Sequence, residues 1–79
     1  MMARKYDVRR KGYKSYELPK GASVYERFMK NIISCAGCGK KLPFGDCYTS
    51  LTIHNELGIG YSVCKRCYKQ EVDDYIEND

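Results

Sequence analysis

The stretches Cys35-Ala36-Gly37-Cys38-Gly39-Lys40 and Cys64-Lys65-Arg66-Cys67-Tyr68 decide how this chain is read. Two residues between paired cysteines let both sulfurs reach one ion, and two such pairs complete a tetrahedral shell. Gly37 and Gly39 permit the tight turn that aims backbone amides at the first pair of sulfurs. Twenty-five residues separate Cys38 from Cys64, and a β-hairpin fills a gap of that length. A redox pair or a chance cluster is the competing reading, and a lone Cys-x-x-Cys would not exclude it. The doubled motif with its helix context favours metal, and predicts one Zn2+ per chain on Cys35, Cys38, Cys64 and Cys67.

Working outward from the cysteines, Ile32 and Ile33 read as a strand entering the first pair. Thr49, Leu51 and Ile53 alternate with Tyr48, Ser50, Thr52 and His54, so residues 47–54 read as a strand. Asn55, Gly58 and Gly60 give turn chemistry, with a return strand over 59–63. Tyr68, Val72, Tyr75 and Ile76 recur at helical spacing, and Lys69, Glu71, Asp73, Asp74 and Glu77 fill the opposite face. This predicts a helix over about 65–77 whose first turn carries the second cysteine pair, where free amides favour thiolate. Upstream, Ser23-Val24-Tyr25-Glu26 fits a capping box, with Val24, Phe28 and Ile32 on one face, which predicts a short helix over about 24–31.

Knuckle, hairpin, then a helix carrying the last two ligands resembles the treble-clef zinc-finger superfamily over residues 32–77. Cys35-Ala36-Gly37-Cys38-Gly39-Lys40 looks like its knuckle, and Cys64-Lys65-Arg66-Cys67-Tyr68 looks like its helix-start pair. LIM-type fingers and small bacterial anti-sigma zinc proteins are the variants it is similar to. It departs from LIM fingers in having no histidine directly before the second pair and one metal set instead of two. The resemblance implies a small α+β zinc-stabilised domain and leaves function open, because the superfamily spans many functions.

Composition fits this frame. With 79 residues the chain is one domain at most, and a core this small gains from a metal. No stretch reaches the roughly 20 apolar residues of a membrane span. The charged start gives no sign of a secretory leader, so a cytoplasmic location with reduced thiols is expected. Cys47 and His54 are alternative ligands; Cys47 reads more simply as a small core residue or free thiol, and His54 as a hydrogen-bonding strand residue.

Charge is unevenly placed. Residues 1–40 hold ten Lys or Arg against three acids, and residues 41–79 hold four against seven. Residues 1–22 carry Arg4, Lys5, Arg9, Arg10, Lys11, Lys14 and Lys20 among three tyrosines, broken by Gly12, Pro19 and Gly21. They read as a basic arm, extended or partly stranded and free to be flexible, ahead of a zinc-binding domain over 23–79. On that reading, removing residues 1–14 spares metal content and stability.

A closed four-thiolate shell leaves no open position for substrate, and no phosphate loop is present, so the expected role is binding and not catalysis. Two partner classes are in play. A larger protein would meet apolar side chains drawn from Tyr25, Phe28, Met29, Phe44 and Tyr61, some of which must be core, the chain acting as a small regulator or inhibitor of a larger machine. Nucleic acid would meet Arg4, Lys5, Arg9, Arg10, Lys11, Lys14, Lys40, Lys41, Lys65 and Arg66. The acids over 71–79, and a charge that falls from +4 to near +2 once four thiolates and a divalent ion are included, favour the protein.

Overall fold

Tyrosines set two apart from basic side chains make a hairpin of the first seventeen residues. The computed structural model describes residues 1–77; Asn78 and Asp79, the end of the predicted 23–79 domain and of the acidic stretch, lie outside the described residues. Strand β1 (Met2–Asp7) pairs antiparallel with β2 (Gly12–Glu17), placing Tyr6 opposite Tyr13 and Ala3 opposite Tyr16. The Asp7 carboxylate closes the turn by accepting from the amides of Arg9 at 3.0 Å and Arg10 at 3.2 Å. Those amides hold its pKa below the usual carboxylate value, the Arg10 bond being the largest cause. Arg4 lies 4.5 Å over the Tyr13 ring and Lys5 lies 4.9 Å over Tyr16, so two of the cations are laid along aromatic faces.

This corrects the picture of a loose arm. Strand β1 also pairs with β5 (Tyr48–His54), which pairs with β6 (Gly60–Val63), giving one antiparallel sheet in the order β2-β1-β5-β6. Ala3 and Leu18 belong to the buried core. Lys5 stands directly opposite Lys14, so the accommodation of charge comes from the tyrosine faces on the neighbouring strand, which charge counted along the chain does not reveal.

The short helix over 24–31 does not form. The Ser23 hydroxyl folds onto Tyr25, accepting from its amide at 3.2 Å and donating to its carbonyl at 2.8 Å, and Glu26 accepts from Asn31 at 3.2 Å. Neither capping-box bond is made. The Ser23 carbonyl instead accepts from the Ser62 amide at 2.9 Å, so the segment covers β6, which outweighs a helix too short to be stable alone.

Strands β3 (Ile32–Ser34) and β4 (Lys41–Pro43) form a separate two-stranded ladder, followed by a 3-10 turn over Phe44–Asp46. Helix α1 (Lys65–Glu77) closes the described chain over the predicted span. The Asn55 side chain, accepting from Leu57 and Ile59 at 2.9 Å each, and Gly58 at φ 85° shape the β5–β6 turn.

The predicted alternation of β5 is offset. Ser50, Thr52 and Ile53 are buried, whereas Leu51 is exposed. The pairing with β6 shifts register between Thr49 and His54, and the Ser50 hydroxyl fills the gap, accepting from the amides of Thr52 at 3.2 Å and Ile53 at 2.9 Å. Its proton goes to Glu71 on α1 at 2.6 Å. Glu71 also accepts from the Leu51 amide at 2.6 Å and the Thr52 hydroxyl at 2.9 Å. Glu71, expected on a solvated helix face, fastens the helix to the sheet. No α1 residue is fully buried, so this carboxylate adds polar attachment to the packing of Cys67 and Tyr68 against the core and the stacking of Tyr68 on Tyr48. Glu71→Ala would strand three donors. The expected loss is about 3 kcal/mol, since a hydrogen bond to a charged group contributes roughly 1.5–3 kcal/mol. Thermal unfolding of metal-saturated protein checks this; an unchanged midpoint would contradict it.

The core is small: Ile53, Val63 and Cys35 are its largest side chains with essentially no exposure. Two of its members, Cys35 and Cys64, belong to the paired cysteines. Among the described residues, no helix is long and apolar enough to cross a membrane.

Candidate metal centre

The four cysteines arrive from two places. Cys35 and Cys38 sit on the turn between β3 and β4, where the Cys35 amide donates to the Lys40 carbonyl at 2.7 Å and the Gly39 amide to the Cys35 carbonyl at 2.8 Å. Gly39 sits at φ 81°, in the left-handed region that favours glycine. Cys64 directly precedes α1 and Cys67 lies in its first turn. The two sources are held together by the Ala36 amide, which donates to the Ser62 carbonyl at 3.0 Å. Tyr16 of the hairpin adds a third clamp, its hydroxyl donating to the Ala36 carbonyl at 2.7 Å.

The four sulfurs lie within 4.8 Å of one another. Cys38 Sγ and Cys64 Sγ are 3.8 Å apart. A disulfide needs about 2.05 Å, whereas a tetrahedron with bonds of about 2.3 Å has edges of about 3.8 Å. The spacing therefore suits four ligands of one ion. Cys35 Sγ accepts from the amides of Gly37 at 3.3 Å and Cys64 at 3.2 Å. Burial pushes the Cys35 thiol up, but the backbone amides led by Cys64 outweigh it and bring its pKa down to about 7. Burial first, and then hydrogen bonds with the other three cysteines, push Cys67 far up. A divalent cation is what would let all four deprotonate together. Four sulfur donors in this geometry fit a borderline-soft divalent ion.

Gly37 has a steric reason to be glycine: an added Cβ would lie 2.8 Å from Cys67 Sγ. Gly37→Ala is expected to displace that sulfur and weaken metal affinity by about tenfold or more, a size typical of changes that misplace a ligand. Competition with a chromophoric chelator reads this directly; wild-type affinity would contradict it.

Cys47 and His54 stay outside the cluster. Cys47 Sγ lies 3.5 Å from the Pro43 carbonyl, and burial is the main cause that raises its pKa. The His54 ring meets Tyr13 edge-on at 6.1 Å.

The predicted basic contacts divide between two surfaces. Lys40, Lys65, Arg66 and Lys69 line a groove of about 560 Å³ beside the metal centre, with Leu42 and Asp46. Lys41 stands nearby at the start of β4. Lys5, Arg9 and Lys14 line a second cleft of about 320 Å³ between the hairpin and α1, whose walls also include Glu71 and Asp74. Arg4 packs on Tyr13, Arg10 lies 3.9 Å from Asp7, and Lys11 occupies the turn at φ 55°. Sequence reasoning missed Tyr16, Ser50, Thr52 and Glu71. The signal for the strand pair was present, since Ser50 and Thr52 are polar residues on one face of a strand.

The chain is thus a small α+β domain built around a four-cysteine cluster able to hold a metal ion. No family model, curated protein or solved structure matches it at significance.

Proposed function

We propose that the chain is a non-enzymatic, cytoplasmic binding module built on one structural Zn2+ in a treble-clef arrangement, acting by protein–protein interaction as a small regulator of a larger machine. The observation that carries the metal reading is the set of four sulfurs within 4.8 Å, a number of thiolates that closes the coordination shell. The element order supports the treble clef: a cysteine turn between β3 and β4, a β5–β6 hairpin, then α1 with the second pair.

The protein-partner reading rests on the loop before β3. Tyr25, Phe28 and Met29 in that loop, and Ile32 at the start of β3, are 60–69% exposed, whereas Phe44 is half-buried and Tyr61 belongs to the core. The Asn31 carbonyl accepts from Phe44, and the Met29 carbonyl accepts from Gly45, at 2.8 Å each. A loop tied at its end by backbone bonds and presenting large apolar side chains is what an interface core uses. The groove with Lys40, Lys65, Arg66 and Lys69 supports the second reading, contact with nucleic acid.

Phe28→Asp with Met29→Asp tests the choice. The double variant is expected to keep its metal and lose a partner that wild type retains from its host. If the variant binds as before, and binding to single-stranded DNA falls steeply with salt, the nucleic-acid reading replaces this one.

A further inference from the structure

The charges on α1 run against its dipole. Its first turn holds Lys65 and Arg66 and no acid, and its last turn holds no base, although a helix is stabilised by the reverse order. The cations at the start have a local reason, since Cys64 and Cys67 bring thiolate charge there. Asp73 and Glu77 near the other end have no such neighbour among the ligands. Lys65, Arg66, Lys69, Asp73, Ile76 and Glu77 are all exposed, and at 100° per residue they share one stripe opposite Glu71, the residue bonded to the sheet.

That stripe is complementary to itself in reverse. Lys65 and Glu77 lie six residues either side of Glu71, and Lys69 and Asp73 lie two either side. We propose that two copies of this chain associate through antiparallel α1 helices about a two-fold axis near Glu71. Lys65 and Lys69 of each copy then face Glu77 and Asp73 of the other. Such an isologous pairing closes as a dimer and sets the two helix dipoles head to tail. The groove beside the first half of α1, with Leu42 among its lining residues, receives the acidic end of the second copy. Ile76, 68% exposed, is the apolar side chain that this end offers to Leu42. The surface is separate from the loop over 25–32, so dimerisation and partner binding succeed or fail independently.

Sedimentation velocity of the metal-loaded full chain, from low micromolar to near-millimolar concentration, tests the proposal. Wild type is expected to dimerise, and less so as salt rises. Lys69→Glu and Asp73→Lys should each weaken the dimer on the order of tenfold, because each places like charges across the axis twice. An equimolar mixture of the two variants should associate again, as should the chain carrying both changes. Recovery on mixing two separate chains is produced neither by an i,i+4 pair inside one helix nor by nucleic-acid binding. Metal content confirms that each variant is folded, and the wild-type series decides even where one is not. Wild type that stays monomeric at low salt throughout, or variants that fold but do not recover on mixing, would overturn the proposal.

Discussion

Cys35→Ser is expected to release the metal and unfold the chain. Cys35 has no exposed surface and belongs to both the core and the ligand set. Its sulfur also accepts two amides, one from each half of the centre. A serine oxygen is a poor replacement for a thiolate, and the remaining core is too small to hold the β3–β4 turn against α1 unaided. Apparent binding free energies of structural zinc reach roughly 10–16 kcal/mol, and in small domains that energy is folding energy. Circular dichroism with and without metal should show a disordered variant in both states. Cys47→Ser is the control, because Cys47 lies outside the cluster, and it should keep both metal and fold. A Cys35→Ser protein that remains folded without metal would break the link between site and stability.

Deleting residues 1–17 should have the second largest effect. The deletion removes two of the four strands of the larger sheet, leaves β5 unpaired on one side, and takes away Ala3 and Tyr16. It also removes the Tyr16 bond to Ala36 that clamps the cysteine turn. The core surface that Ala3 and Tyr16 cover would return to water at about 25 cal/mol per Å² of apolar area, against the marginal stability of a small domain. Lower metal affinity and a sharply lower unfolding midpoint should therefore accompany the truncation. Composition pointed the other way, toward a dispensable arm. A truncated protein with wild-type midpoint and metal content would restore that reading.

The contrast shows which signals the sequence carried. The cysteine pairs, the β5–β6 hairpin and α1 were legible because each depends on local chemistry: ligand spacing, the turn residues Asn55 and Gly58, and apolar residues at helical period. The hairpin over 2–17 was hidden because its cations are accommodated by partners across the strands, such as Arg4 over Tyr13, which charge counted along the chain does not reveal. The helix over 24–31 was suggested by Ser23 and Glu26, but the Ser23 carbonyl was claimed by the distant Ser62 amide. Glu71 was indistinguishable in sequence from its acidic neighbours. What singles it out is a register shift in β5 that turns Ser50 and Thr52 inward. At the cluster itself, the four cysteines that come together could be named from spacing, whereas the clamps on Ala36 from Tyr16 and Ser62 are tertiary and could not.

One metal ion, held by Cys35, Cys38, Cys64 and Cys67, is proposed to hold this domain together. Elemental analysis of protein purified under reducing conditions without added metal, paired with native mass spectrometry, tests it most directly. The account predicts one zinc per chain, lost together with the fold on chelation. A folded, fully reduced chain with a zinc ratio near zero and no other metal in its place would contradict it.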